Sequence, residues 1–201
     1  METSKNTGDR FDSFMRGLSA AVQLSQRALK SGSFIESVCL AASIIDAQLR
    51  MGLILNHQIK TKSNDLIDEL LYQIDESKIV TERNIYKQAL KENIISQNIY
   101  EELNELYYKR NKVVHQYIIS DITTEEVVKI AARYADTIHI IKDAIIKLED
   151  EQIRLGIGMT VTGSEVPEQV RKKGKEIMDK VVDEKHGNPV LAFNLRNKSI
   201  S

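Results

Sequence analysis

Arg110, Asn111 and His115 are the residues best suited to chemistry in this chain. They lie in the run Tyr107-Tyr108-Lys109-Arg110-Asn111-Lys112-Val113-Val114-His115-Gln116-Tyr117. An imidazole takes or gives a proton near neutral pH, and a guanidinium grips two phosphoryl oxygens through parallel charge-assisted hydrogen bonds. An amide one turn before the histidine can orient its ring. The set suits a phosphate ester: one group moves a proton while another holds the charge growing on the phosphoryl oxygens.

The run lies late in a helix expected over Gln97 to Tyr117, broken at Ser120-Asp121. At 100° per residue Ile99, Leu103, Leu106, Val113 and Tyr117 form one narrow apolar stripe, with Arg110 in the middle of it. Burying that guanidinium alone would cost several kcal/mol, so either a carboxylate meets it or the stripe faces a polar cleft. Asp46, on the flank of an earlier apolar helix, is the leading candidate partner; it also stands one turn from Arg50 and can pair there instead. Asn104, Tyr108, Asn111 and His115 make a second, polar row. Arg110 and His115 are about 140° apart on a regular helix. A joint site therefore needs an arginine reaching sideways, or a second copy of the helix across a two-fold axis.

The wording Arg110-Asn111-x3-His115 resembles the Arg-x4-6-His motif of HEPN domains, in which a polar residue commonly follows the arginine. The resemblance covers roughly residues 10 to 155, and the motif stands just before the final core helix, as the family has it. It implies an all-helical domain, many of whose relatives are metal-independent ribonucleases acting as toxins or in antiviral defence. It also implies a site formed across a homodimer and a partner protein that restrains the activity. An acidic residue is frequent on the helix that corresponds to the one carrying Asp46, so the resemblance places Asp46 in the site. For such an enzyme RNA supplies its own nucleophile, the 2′-hydroxyl. His115 would serve as base, a second His115 as acid, Arg110 would hold the phosphate, and Asn111 would hold the ring or the phosphate. The alternative is a non-catalytic module of the same fold that binds a nucleotide or a protein. A third is a scaffold in which Arg110 only makes an ion pair.

Composition fits a soluble, globular, helical chain: 42% hydrophobic and 28% charged residues, with two prolines and nine glycines in 201 residues. A net charge of -1 gives no general pull towards nucleic acid. RNA contact would come from a local patch, Lys109, Arg110 and Lys112, doubled by dimerisation. The single cysteine, Cys39, excludes an internal disulfide and reads as a small buried hydrophobe, in keeping with a cytoplasmic protein. The polar start, Met1 to Arg10, and the lack of a run approaching 18 apolar residues give no support for export or membrane spanning. No His-Glu-x-x-His, Gly-x-Ser-x-Gly or phosphate-loop sequence is present, so no metal or cofactor is expected.

In chain order, Phe11 to Lys30 predicts a first helix ended by Gly32. Ser33 and Glu36 form a capping-box pattern for a second, running to about His57 with Ile35, Val38, Ala42, Ile45, Leu49 and Leu53 as its core face. Two shorter helices are expected over Asp65 to Ile74 and Thr81 to Lys91. After the motif helix, Thr123 and Glu126 cap the longest helix, whose stripe from Val127 to Leu148 spans about 45 Å; His139, beside that stripe, reads as structural. The expected fold is all-α, an antiparallel helical bundle over residues 10 to 155. Residues 156 to 201 add a glycine hinge, an amphipathic helix with a basic cluster at Arg171 to Lys175, and an apolar tail, together a partner or dimer contact.

Overall fold

The structure, a computed structural model, describes residues 7–73, 80–160 and Lys172. The expected helix, basic cluster and tail beyond residue 160 otherwise lie outside the described residues. Six helices follow one another: α1 (Thr7–Ser31), α2 (Phe34–Thr61), α3 (Asp68–Leu71), α4 (Glu82–Lys91), α5 (Gln97–Gln116) and α6 (Thr124–Leu155), with no strand among the described residues. The all-α expectation holds.

Several helix ends form where local chemistry calls for them. Gly32 takes the left-handed conformation, φ 75°, that lets the chain reverse between α1 and α2. Thr81 and Ser96 accept amide hydrogen bonds at the starts of α4 and α5. Thr123 and Glu126 make the full reciprocal capping box of α6. The Ser33 and Glu36 pattern does not: Ser33 makes no side-chain cap at α2, and its hydroxyl instead meets that of Ser31 at 3.1 Å. α2 also runs one turn past His57, to Thr61, while α3 keeps only four residues of its expected span.

α2 is the centre, packed against α1, α3, α4, α5 and α6, and its longest seam is with α6. Val38, Ala42, Ile45, Leu49 and Leu53 are buried as expected, though Ile35 at its start is exposed. Being covered on most sides, α2 is apolar nearly all round. By length and composition it could cross a membrane, since an 18-residue stretch of it has a mean hydropathy of 1.7, more than its short apolar runs suggest; 67% of that stretch is buried inside the bundle.

The hairpins α1–α2 and α5–α6 are each antiparallel, and α2 and α6, with the oppositely directed α5 between them in the chain, run parallel. Phe34 shares a cavity with Val127 at their starts, Gly52 faces Ile145 further on, and Gln152 reaches Leu55 at their ends. Glu92, shortly before α5, meets Asn56 and Lys60 near the end of α2, so α5 sets out from the end at which α2 finishes.

At that far end Gln152 and Gln58 are fully buried and satisfy each other. Gln152 Nε2 donates to Gln58 Oε1 at 2.7 Å, and its Oε1 accepts from the Thr160 amide and hydroxyl at 3.2 and 2.8 Å. This ties residues 156–160, expected as a hinge, back onto the bundle. Gly158, at φ 76°, lies so close to the Gln152 amide that a Cβ would collide with it.

Candidate functional site

α5 presents two different faces, and the motif is divided between them. Its apolar stripe, with Leu103, Leu106 and Val113 buried, packs into the bundle, and Arg110 goes with it. Tyr134 of α6 fixes the register by donating its hydroxyl hydrogen to the Leu106 carbonyl at 3.1 Å; burial pushes that phenol's pKa up, so it stays a donor. On the outer side Tyr108 and His115 are exposed, while Asn104 and Asn111 are half-buried. The structure thus brings Asn111 and His115 onto one open face and turns Arg110 away from them.

Arg110 does find a carboxylate, and it belongs to Glu82. Arg110 Nη2 donates to Glu82 Oε2 at 2.8 Å, with 23% of the arginine side chain and 16% of the glutamate exposed. The other Glu82 oxygen accepts from the Tyr86 hydroxyl. Burial first, and then the nearby Glu82 charge, push the Tyr86 pKa up, so this phenol also stays protonated. Tyr107 lies with its ring centre 5.0 Å from the Arg110 guanidinium, a cation–π contact. The Arg110 Nε is buried with no acceptor.

Asp46 lines the same cavity, about 200 Å³, together with Ala42, Ser43, Glu82 and Arg110. One of its oxygens is taken by the local partner that the sequence also offered, Arg50 Nε donating to Asp46 Oδ2 at 2.6 Å, while Oδ1 is buried without a partner among the described residues. The expectation that Asp46 meets Arg110 is corrected accordingly. Arg50 has further work, donating to the Leu70 carbonyl at 3.3 Å and the Val80 carbonyl at 3.1 Å. It therefore holds α3 and the start of α4 against α2. Sequence reasoning missed both Glu82 and this role of Arg50. The one available signal was an acidic residue in the first turn of a short helix, which on its own reads as a dipole effect.

Of the basic residues proposed for RNA, Lys109 and Lys112 line the groove between α5 and α6, while Arg110 does not. Arg133 of α6 grips Glu102 and Glu105 through four hydrogen bonds of 2.7 to 2.9 Å. Lys109 pairs with Glu105 at 3.0 Å, and Lys129 with Glu125 at 2.6 Å. Hydrogen bonds from Arg133 first, and then Lys109, hold the Glu105 carboxyl down at about 2. Lys112 is exposed beside Glu126, whose pKa is lowered mainly by the Thr123 amide and also by Lys112. Much of this groove's positive charge is matched by carboxylates.

Elsewhere, Cys39 is half-buried rather than fully enclosed, and His139 is exposed on α6. Among the described residues no group of three His, Cys, Asp or Glu is placed to hold a metal ion. Beyond His115 the chain leaves α5 through Tyr117, Ile118 and Ile119, all exposed, Ile118 at 94%. Compared with known proteins, the chain matches no family model, no curated protein and no solved structure.

Proposed function

We propose that this chain is a metal-independent endoribonuclease of the HEPN type, working as a homodimer in toxin or phage-defence biology. The observation that carries the reading is the Arg110-Asn111-x3-His115 sequence on a single ordered helix, with its imidazole exposed and its arginine at the rim of a polar cavity. His115 takes the proton of a 2′-hydroxyl, whose oxygen attacks the neighbouring phosphorus. The 5′-oxygen leaves, protonated by the His115 of a second copy. The products are a 2′,3′-cyclic phosphate and a 5′-hydroxyl.

Arg110 and Asn111 would hold the phosphate and the ring. Because guanidinium and imidazole point to different sides of α5, the two-fold mate is required rather than optional. Exposed Ile118 and Ile119, beside an apolar cavity of about 500 Å³ lined by Phe34, Ile35, Tyr117 and Val127, support a second copy meeting this end of α5. A restraining partner protein and a cytoplasmic place of action belong to the same proposal.

One observation favours the second reading, a non-catalytic module of this fold that binds a nucleotide or a partner protein. Glu82 already matches the charge of Arg110 within the protomer. The deciding experiment is purified protein incubated with RNA in EDTA, wild type against His115→Ala, with the ends characterised chemically. The nuclease predicts cyclic phosphate ends and a loss of about 10² to 10⁴-fold in the variant. A folded His115→Ala protein cutting at the wild-type rate would refute the mechanism, and no cleavage by wild type would favour the second reading.

A further inference from the structure

Tyr108 is an exposed ring on α5, with 59% of its surface open, and it stands on the same row as Asn111 and His115. Seven residues separate it from His115, two helical turns or about 10.5 Å along one line of the helix. Its ring meets Tyr107 edge to face, centres 5.8 Å apart at 84°, which holds it upright on the surface. Arg83 of α4 lies over both rings, its guanidinium carbon 5.7 Å from the Tyr108 centre and 5.9 Å from that of Tyr107.

Arg83 differs from Arg110 in one respect that matters. Among the described residues its guanidinium meets ring faces, those of Tyr107 and Tyr108, where that of Arg110 is gripped by a carboxylate. It also sits in the first turn of α4, the positive end of the helix dipole, where a cation is disfavoured. An exposed ring beside a guanidinium is the combination that takes an unstacked base on one and its backbone phosphate on the other.

The geometry points to Tyr108 and Arg83 as a stacking subsite for one base of single-stranded RNA. Resting on the nuclease reading, it would lay the strand along the open face of α5 so that a neighbouring phosphate passes Asn111 and His115. The ligand is single-stranded because a base within a duplex has no free face to offer. Sequence preference would be slight, since every base has a π-face.

The test uses the full chain and a fluorescent 2′-O-methyl RNA oligonucleotide, which binds but lacks the nucleophile, with affinity read by anisotropy. Tyr108→Ala should weaken binding by about 5- to 150-fold, the range of one base–aromatic stack, and Tyr108→Phe should stay close to wild type. Arg83→Ala should flatten the salt dependence by nearly one unit of slope. Annealing the complementary strand should erase the Tyr108 effect. No binding by wild type, equal affinities for wild type and Tyr108→Ala, or equal losses on single and double strands would each overturn the assignment. Because this readout involves no cleavage, the platform can stand where the nuclease fails, and the reverse.

Discussion

Replacing Arg110 by methionine is the sharpest probe of what holds the motif helix in place. Methionine keeps most of the buried stem and removes the guanidinium, so the change isolates the charge. It leaves the Glu82 carboxylate, 16% exposed, with only the Tyr86 hydroxyl to bond it among the described residues. Breaking a fully buried ion pair costs about 3 to 5 kcal/mol; with roughly a fifth of each side chain still reached by water, about 2 to 4 kcal/mol is expected. Urea unfolding followed by circular dichroism should place the Arg110→Met midpoint about 1 to 2 M below wild type, taking a slope near 2 kcal/mol/M. Glu82→Gln alone keeps a neutral acceptor and should cost less, about 1 to 2 kcal/mol. The two changes combined should cost less than their sum by about 1 to 3 kcal/mol, because the second removes the charge that the first left stranded. If the two losses simply add, or if Arg110→Met unfolds with wild type, the ion pair does not fasten α5 to α4 and the argument from it is wrong.

Two further predictions test packing and charge. At Gly52 a helix interior would ordinarily gain up to about 1 kcal/mol from alanine. Here the new Cβ would stand 2.7 Å from Ile145 Cδ1 and 3.1 Å from Ile94 Cγ2, so crowding of about 1 to 3 kcal/mol should win and Gly52→Ala should lower the melting temperature; a rise would mean that Ile145 turns aside freely. Glu105 has its folded pKa depressed from 4.5 to about 2. Its contribution to stability is therefore full above about 4.5 and is lost as the pH falls towards 2. Glu105→Gln should cost under about 1 kcal/mol at neutral pH, because the side chain is half exposed, and urea midpoints of variant and wild type should converge across that acid window. A gap that stays constant with pH would refute the Arg133 attribution.

Features that depend on residues within one or two turns of each other were legible in the sequence. The capping box of Thr123 and Glu126, the stop at Gly32, the end of α6 at Gly156 and the division of α5 into an apolar stripe and a polar row all follow from spacing alone. Features set by distant segments were not. That α6 makes its longest seam with α2 rather than with α5 is a property of the whole fold, and the buried pair of Gln58 and Gln152 joins residues 94 positions apart. The cap expected from Ser33 failed because the tight reversal at Gly32 leaves its backbone at ψ 65°, away from the extended geometry an N-cap uses.

The pairing of Arg110 shows how a local competitor displaces an expected long-range contact. Asp46 and Arg50 are one turn apart on α2, so their contact closes no loop, whereas Asp46 and Arg110 must be brought together by the whole fold. Once Arg50 holds Asp46 at 2.6 Å, its other two nitrogens point out of α2 and take the carbonyls of Leu70 and Val80. Val80 also accepts from the Gln73 side chain at 3.0 Å, so the strand of chain entering α4 is held from two sides. Two residues later comes Glu82, delivered by that anchorage to the guanidinium of Arg110. Asp46 thus acts on the motif at one remove: it orients Arg50, Arg50 fixes the start of α4, and α4 supplies the carboxylate that the stripe of α5 required.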